Sequence, residues 1–446
     1  MYMLYSLLLL VYFLVRLPLV AYAAWRHGKL LGNIRERCGR LPASINPDHQ
    51  RSIWIHAVSV GEVLVGCRLI AGLREAYPNH RLLMSTTTVT GQRVARALDD
   101  AVDGTFYFPF DLPPFIARAL DRVAPDLVIV IDTEIWPNFL RACRRRGVKT
   151  VLANARLSVR SYRGYRLARP FMHRVLGDLE WVCAQTESWR QRFVALGTAP
   201  TRATVTGSLK FDEVDLAATG AKLHVGDQVL SFFRFAAGRP VLIAASTLSG
   251  EEEPVLQAFA RIRETAPDAV LIIAPRHPER FAKARLLASV DEHEVVLRTD
   301  LPADGSSRAD VVILDTIGEL TRLYQIATLV FVGGSLVPAG GHNILEPAVF
   351  GKAIVFGSHM ENFSEIAQQM IVADAGIQVQ TAGELEEVLV ELMADPVRRA
   401  DLGVAARTVV DANRGATQRT LSTIAQLFPV EKALRAVNRP THHAVQ

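Results

Sequence analysis

Between residues 52 and 357 the chain repeats one pattern twice: short β-branched apolar runs separated by stretches with helical spacing. SIWIHAV (52–58), RLLMST (81–86), DLVIVI (126–131), VKTVLAN (148–154) and WVCAQ (181–185) make the first series. RPVLIAAST (239–247), AVLIIAP (269–275), DVVILD (310–315), TLVFVGG (328–334) and KAIVFG (352–357) make the second. Runs this continuous suit strands covered by helices on both faces, which is the signature of a parallel sheet. The pattern therefore predicts two α/β, Rossmann-like domains in series, joined near 208–238 where the periodicity lapses. The expected bounds are 26–210 and 211–430, the second including helical patterning at 382–428, with a disordered polar tail at 431–446. Ligands of such sheets bind outside the C-terminal strand ends, so residues directly after each run are the candidates, expected to line a cleft between the two domains.

Several classes drop out early. With 50% hydrophobic and 21% charged residues over 446 positions the chain is globular. Cys38, Cys67, Cys143 and Cys183 form no C-x-x-C pair, so neither a zinc site nor a disulfide framework is indicated. Neither domain opens its first helix with G-x-G-x-x-G, and no G-x-x-x-x-G-K-[ST] occurs, which argues against a dinucleotide dehydrogenase and a P-loop NTPase.

The first 25 residues, MYMLYSLLLLVYFLVRLPLVAYAAW, form an apolar stretch interrupted by Arg16 and Pro18. A cleavable signal peptide needs basic residues before its apolar core, and here Arg26, Lys29, Arg35, Arg37 and Arg40 follow it. The stretch is expected to be an uncleaved membrane-anchoring helix, spanning or lying in the interface, with the bulk of the protein on the cytoplasmic side. Residues 1–210 carry 29 Lys+Arg against 15 Asp+Glu, a balance of +14. The remainder carries 21 against 30, a balance of −9. Eleven cations and no acid fall between Arg141 and Arg174. One-signed charge beside an apolar helix favours an anionic membrane surface, and no nucleic-acid-binding motif accompanies it.

Three post-strand segments carry chemistry. In HAVSVGE (56–62), Glu62 opens a helix and suits a general base; a first-turn carboxylate complementing the helix dipole is the simpler alternative. DTEIWPN (132–138) offers Asp132 and Glu134. The pair resembles a metal-binding D-x-D, but no further ligand cluster supports a metal, and Thr133 as a helix cap would explain the segment structurally. GGSLVPAGGHNILEP (333–347) is a Gly-rich loop expected to lead into a helix near His342. Its backbone N–H groups suit a nucleotide phosphate, with Glu346 placed for ribose hydroxyls; a flexible loop is the alternative. Arg276 in APRHPER (274–280) and the loop DTIGE (315–319) fall on the same expected sheet edge. Lys210, one of few lysines, sits in GSLKFD (207–212) at the domain junction.

Taken together and in this order, HAVSVGE, DTEIWPN, GSLKFD, APRHPERF and GGSLVPAGGHNILEP resemble the Kdo transferases, inverting glycosyltransferases of glycosyltransferase family 30. The resemblance runs from the apolar N-terminus to about residue 428. It implies a GT-B fold and transfer of 3-deoxy-D-manno-octulosonic acid (Kdo) from CMP-Kdo to the lipid A precursor (lipid IVA) at the cytoplasmic side of the bacterial inner membrane, without metal or other cofactor. The family's proton acceptor falls on Glu62 and its transition-state stabilisers on Glu134 and Lys210. The CMP contacts fall on Pro275 and Arg276, on Ile317, Gly318 and Glu319, and on Asn343, Ile344, Leu345 and Glu346. Asp132 departs from the pattern, since many relatives carry Glu there.

Overall fold

The computed structural model describes residues 1–27, 33–98, 101–213, 228–290 and 293–429. The expected tail at 431–446 lies outside the described residues. The chain divides into two compact units: Met1–Glu213 together with Gly415–Gln446, and Val214–Arg414.

The first unit is built on a seven-stranded sheet. Its strands are β1 (Ser52–His56), β2 (Arg81–Thr86), β3 (Gly104–Tyr107), β4 (Pro125–Ile131), β5 (Lys149–Ala155), β6 (Trp181–Ala184) and β7 (Ala203–Val205). They pair in parallel in the order β3-β2-β1-β4-β5-β6-β7. Each continuous apolar run divides between two cores because strand side chains alternate faces. Ile53, Ile55, Leu127 and Ile129 pack with Leu69 and Leu73 of helix Val60–Ala76. Trp54, Val128 and Val130 pack on the other face with Phe139 of helix Pro137–Arg145 and Ile116 of helix Pro113–Val123. Burying side chains of this size contributes about 1.5–3 kcal/mol each. With both faces covered, only the sheet's ends are left for a ligand.

The second unit repeats the plan. Its strands are β8 (Val241–Thr247), β9 (Val270–Pro275), β10 (Val295–Leu297), β11 (Val311–Ile313), β12 (Leu329–Val332), β13 (Ala353–Gly357) and β14 (Ile377–Val379). Their order is β10-β11-β9-β8-β12-β13-β14, again all parallel. In each sheet the first strand lies in the interior, with a sequence neighbour on one side and a later strand on the other. The chain direction therefore switches between β1 and β4, and between β8 and β12, and each switch leaves a crevice at the strands' C-terminal ends.

Two expectations need correction here. The second domain was expected to run to residue 430, but the last helix, Ala416–Leu427, packs on the first unit. Ile424 joins the core beside Leu69 and Leu73. The Asp212 carboxylate accepts from the N–H groups of Gly415 (2.7 Å) and Thr417 (2.6 Å), pinning the helix start. Gly72 lies against this helix, where an added Cβ would meet the Leu421 side chain. The Arg141–Arg174 run is also less available to an outside anion than its composition suggests. Arg141 and Arg144 meet the buried Asp178, Arg146 meets Asp121 and Arg156 meets Asp132. Arg160, Arg163, Arg166, Arg169 and Arg174 are exposed.

The N-terminal residues Tyr2–His27 form one helix. Its first turns dock on the first unit: the Tyr2 hydroxyl donates to Asp178 (2.5 Å), the Tyr5 hydroxyl to Asp111 (3.0 Å), and Phe13 packs on Phe110. Asp111 also accepts from the N–H groups of Asn138 and Phe139, so it holds the start of helix Pro137–Arg145 as well. Among the described residues no helix is long and apolar enough to cross a membrane.

Candidate active site

In the first unit, the residues singled out after β1, β4 and β7 come together. Ser59 is the N-cap of helix Val60–Ala76, which places Glu62 in the first turn, directly at the β1–β4 switch. Its carboxylate bends back to accept from the Val58 N–H and, at 3.3 Å, from the Ser59 hydroxyl. Burial, together with the charges of Asp132 and Glu134 across the crevice, pushes Glu62 up to about 7, against the pull of those two hydrogen bonds. Burial and Asp132 also raise Glu134, opposed by Arg156. Three carboxylates thus crowd one sheet edge, two of them held above the usual carboxylate range.

Asp132 is the fixed member of the group. It has φ +65° and is buried. It accepts from Asn154 Nδ2 and lies 3.1 Å from Arg156 Nε. Asn154, also at positive φ, accepts from the Leu209 N–H (3.0 Å) through Oδ1. A single side-chain amide therefore ties the Asp132 loop to the residue before Lys210, and Lys210 opens the short helix Lys210–Glu213. Sequence reasoning missed Asn154 and Arg156 as site residues. The available signal was their position at the end of β5, on the edge that carries the other candidates.

His56 has a different role from its motif neighbours. It is fully buried, stacked on Phe108 with ring centroids 4.0 Å apart, and its Nδ1 lies 2.9 Å from Ser85 Oγ. Burial pushes its pKa down to about 3, so the ring is neutral and serves the core.

In the second unit the Gly-rich loop differs from expectation. The helix after it starts at Leu345, not near His342, and is only five residues long. The loop's first N–H groups are already taken. Glu251, fully buried, accepts from Gly334 (2.7 Å), Ser335 (3.1 Å) and Leu336 (2.9 Å), and from Leu248 (2.9 Å). The anion held at the β8–β12 switch is therefore the protein's own carboxylate. The glycine at 333 is required for its approach, since a Cβ there would lie 2.8 Å from Glu251 Oε2.

The remaining donor-side candidates surround this plug. Pro275 ends β9 and is buried, while the Arg276 side chain is exposed. Burial and the charges of Arg276 and His277 push His342 down to about 4, which brings those three side chains into one neighbourhood and leaves His342 neutral at pH 7. Ile317 is 84% exposed and Gly318 has φ +92°. Glu319 is held from two sides: Arg298 contacts both of its oxygens (2.8 and 2.9 Å) and Thr316 donates at 2.7 Å. Phe232 stacks on the Arg298 guanidinium at 3.7 Å, and sequence reasoning missed this buried arginine because it follows a short edge strand. Asn343 accepts from the Leu345 N–H (3.1 Å), and the Thr321 hydroxyl reaches Glu346 (3.3 Å), linking the two loops. Ile344 and Leu345 are fully buried, so their side chains belong to the core. Among the described residues no group of three or more His, Cys, Asp or Glu side chains is arranged to hold a metal ion.

Comparison with known proteins extends this geometry. Residues 32–213 match the family model described as 3-deoxy-D-manno-octulosonic-acid transferase (kdotransferase). A 3-deoxy-D-manno-octulosonic acid transferase from Haemophilus influenzae is 35% identical, over 84% of this chain and 86% of its own. One from Bordetella pertussis is 32% identical, over 91% of this chain and 96% of its own. Among solved structures, a UDP-GlcNAc 2-epimerase from Neisseria meningitidis bound to UDP-GlcNAc aligns with a TM-score of 0.60, over 84% of this chain and 100% of that one. At 12% identity that likeness concerns the fold alone.

Proposed function

The chain belongs to the 3-deoxy-D-manno-octulosonic acid (Kdo) transferase family, and from that premise we propose that it moves Kdo from CMP-Kdo to the lipid A precursor with inversion at the anomeric carbon. The observation that carries the reading is the carboxylate cluster at the β1–β4 switch, with Glu62 pushed up to about 7. A base titrating near the working pH is deprotonated often enough to act and basic enough to take a hydroxyl proton.

In this reading Glu62 removes the proton from an acceptor sugar hydroxyl as that oxygen bonds to the anomeric carbon of Kdo. The bond from that carbon to the phosphate oxygen breaks, CMP leaves with the electron pair, and the proton stays on Glu62. Glu134 and Lys210 stabilise the transition state, and Arg276 offsets the charge on the departing phosphate. Pro275, Ile317 through Glu319 and Asn343 through Glu346 frame the nucleotide, Ile344 and Leu345 by their backbone only. The GT-B organisation belongs to the proposal: acceptor activation on the first unit, donor binding on the second, and no metal. The N-terminal helix, with Leu7, Leu8 and Val15 exposed, and the exposed arginines Arg160, Arg163, Arg166, Arg169 and Arg174 attach the enzyme to the anionic cytoplasmic face of the bacterial inner membrane.

The test is to incubate the protein with CMP-Kdo and tetra-acylated lipid A precursor, with and without exhaustive chelation, and weigh the lipid. A mass gain of one or more Kdo units under both conditions is expected. No gain from a folded, CMP-binding protein would overturn the acceptor assignment. A gain only when a divalent cation is restored would overturn the metal-free mechanism.

A further inference from the structure

A groove of about 1040 Å³ runs along the docked N-terminal helix. Leu4, Leu7 and Leu10 form one wall, and Leu112, Pro113 and Phe115 at the start of helix Pro113–Val123 form the other. Arg141, Arg145 and Arg146 rim it, and no Asp or Glu lines it. The helix wall is anchored, because Tyr2, Tyr5 and Ser6 bond to Asp178, Asp111 and Asn138. Arg141 and Arg146 are already paired with Asp178 and Asp121. Arg145 is exposed and has no acidic partner among the described residues, so it brings an uncompensated charge to the rim.

We propose that this groove is a binding site for an anionic glycerophospholipid of the membrane, resting on the membrane-surface reading above. An acyl chain lies between the leucines and helix Pro113–Val123, with the phosphate at Arg145. Apolar walls and a one-signed rim match an amphiphile with a long chain and an anionic head. The volume lies at the upper end of the ~300–1,000 Å³ usual for ligand sites.

The head-group end of the groove is set apart from the Glu134 loop. Helix Pro137–Arg145 begins just after the Glu134 loop and runs back from that sheet edge. At ~1.5 Å per residue, its last turn lies roughly 12 Å along the axis from the loop. A head group at Arg145 therefore sits at the end of that helix opposite the Glu134 loop. The groove holds a resident lipid that fastens the N-terminal helix to the first unit and the first unit to the bilayer.

The test uses the full chain on phosphatidylcholine vesicles with or without phosphatidylglycerol, each lipid carrying a photoreactive group midway along one acyl chain, and maps the labelled peptides. Phosphatidylglycerol label is expected on residues 2–11 and 112–117. Ala117→Trp, which fills the groove, and Leu10→Asn, a change at an exposed helix position, should each remove that label while vesicle sedimentation persists. Arg145→Glu should reduce it by at least roughly fivefold. Equal labelling by phosphatidylcholine, label unchanged by Ala117→Trp, or displacement by tetra-acylated lipid A precursor would each overturn the proposal. If the unmodified protein does not sediment with vesicles at all, the membrane-surface reading falls and the groove proposal with it. Kdo transfer to detergent-dispersed acceptor, assayed in parallel, should be unchanged in all three variants.

Discussion

Two glutamates hold corresponding places in the two units and have different roles. Glu62 follows the first strand of the first sheet and Glu251 the first strand of the second, each at its sheet's switch point. Glu62 accepts from one backbone N–H and one hydroxyl, with two other carboxylates nearby, and is pushed up to about 7. Glu251 accepts from four backbone N–H groups and is sealed from solvent. One fold position thus holds a raised carboxylate where donors are few and a structural plug where they are many. Topology makes the crevice, and the local supply of donors decides what a carboxylate does there.

Exchanging the roles of the two glutamates is the strongest challenge to this contrast. Glu62→Gln keeps an acceptor for the Val58 N–H but cannot take a proton. Turnover should fall about 10²–10⁴-fold, read by lipid mass spectrometry, with CMP affinity unchanged in calorimetry. Retained turnover would remove Glu62 as the base. Glu251→Ala should act on stability instead. Leaving four N–H groups without their carboxylate should cost at least about 3 kcal/mol locally, so amide exchange at Gly334, Ser335 and Leu336 should accelerate roughly a hundredfold. Unchanged exchange with lost chemistry would mean that the two glutamates have the opposite roles.

The smallest effect sharpens the comparison. Because Glu62 must be deprotonated to act, kcat/KM should rise with pH and level off above about pH 7, falling about tenfold per unit below it. Asp132 helps to hold Glu62 up. Asp132→Asn removes that negative charge and frees Arg156, and both changes favour the ionised form of Glu62. The acid limb should therefore move to lower pH. A shift toward higher pH would contradict the assigned coupling.

The longer strands were legible because both faces of each sheet are covered, which forces continuous apolar runs. β6, β11 and β12, inside the sheets, were legible as well although only three or four residues long, whereas the edge strands β3, β7, β10 and β14 were not. Glu62, Glu134 and Lys210 were legible as residues following strands or at the domain junction. The link through Asn154 between the Asp132 loop and Leu209 was not, because Asn154 and Leu209 are 55 positions apart.

Two further outcomes could not be read from local pattern. The Gly-rich loop has the composition of a phosphate cradle, yet its first N–H groups are filled by a glutamate more than 80 residues upstream. Ala416–Leu427 reads as the end of the second domain, yet Asp212 and the packing of Ile424 hold it on the first. Periodicity and motif order, both local properties, are enough for two parallel sheets and for the edge on which chemistry belongs. The partner of each donor and acceptor is set by contacts between distant segments, so only the tertiary structure decided which carboxylates are raised, which loop is plugged and where the last helix docks.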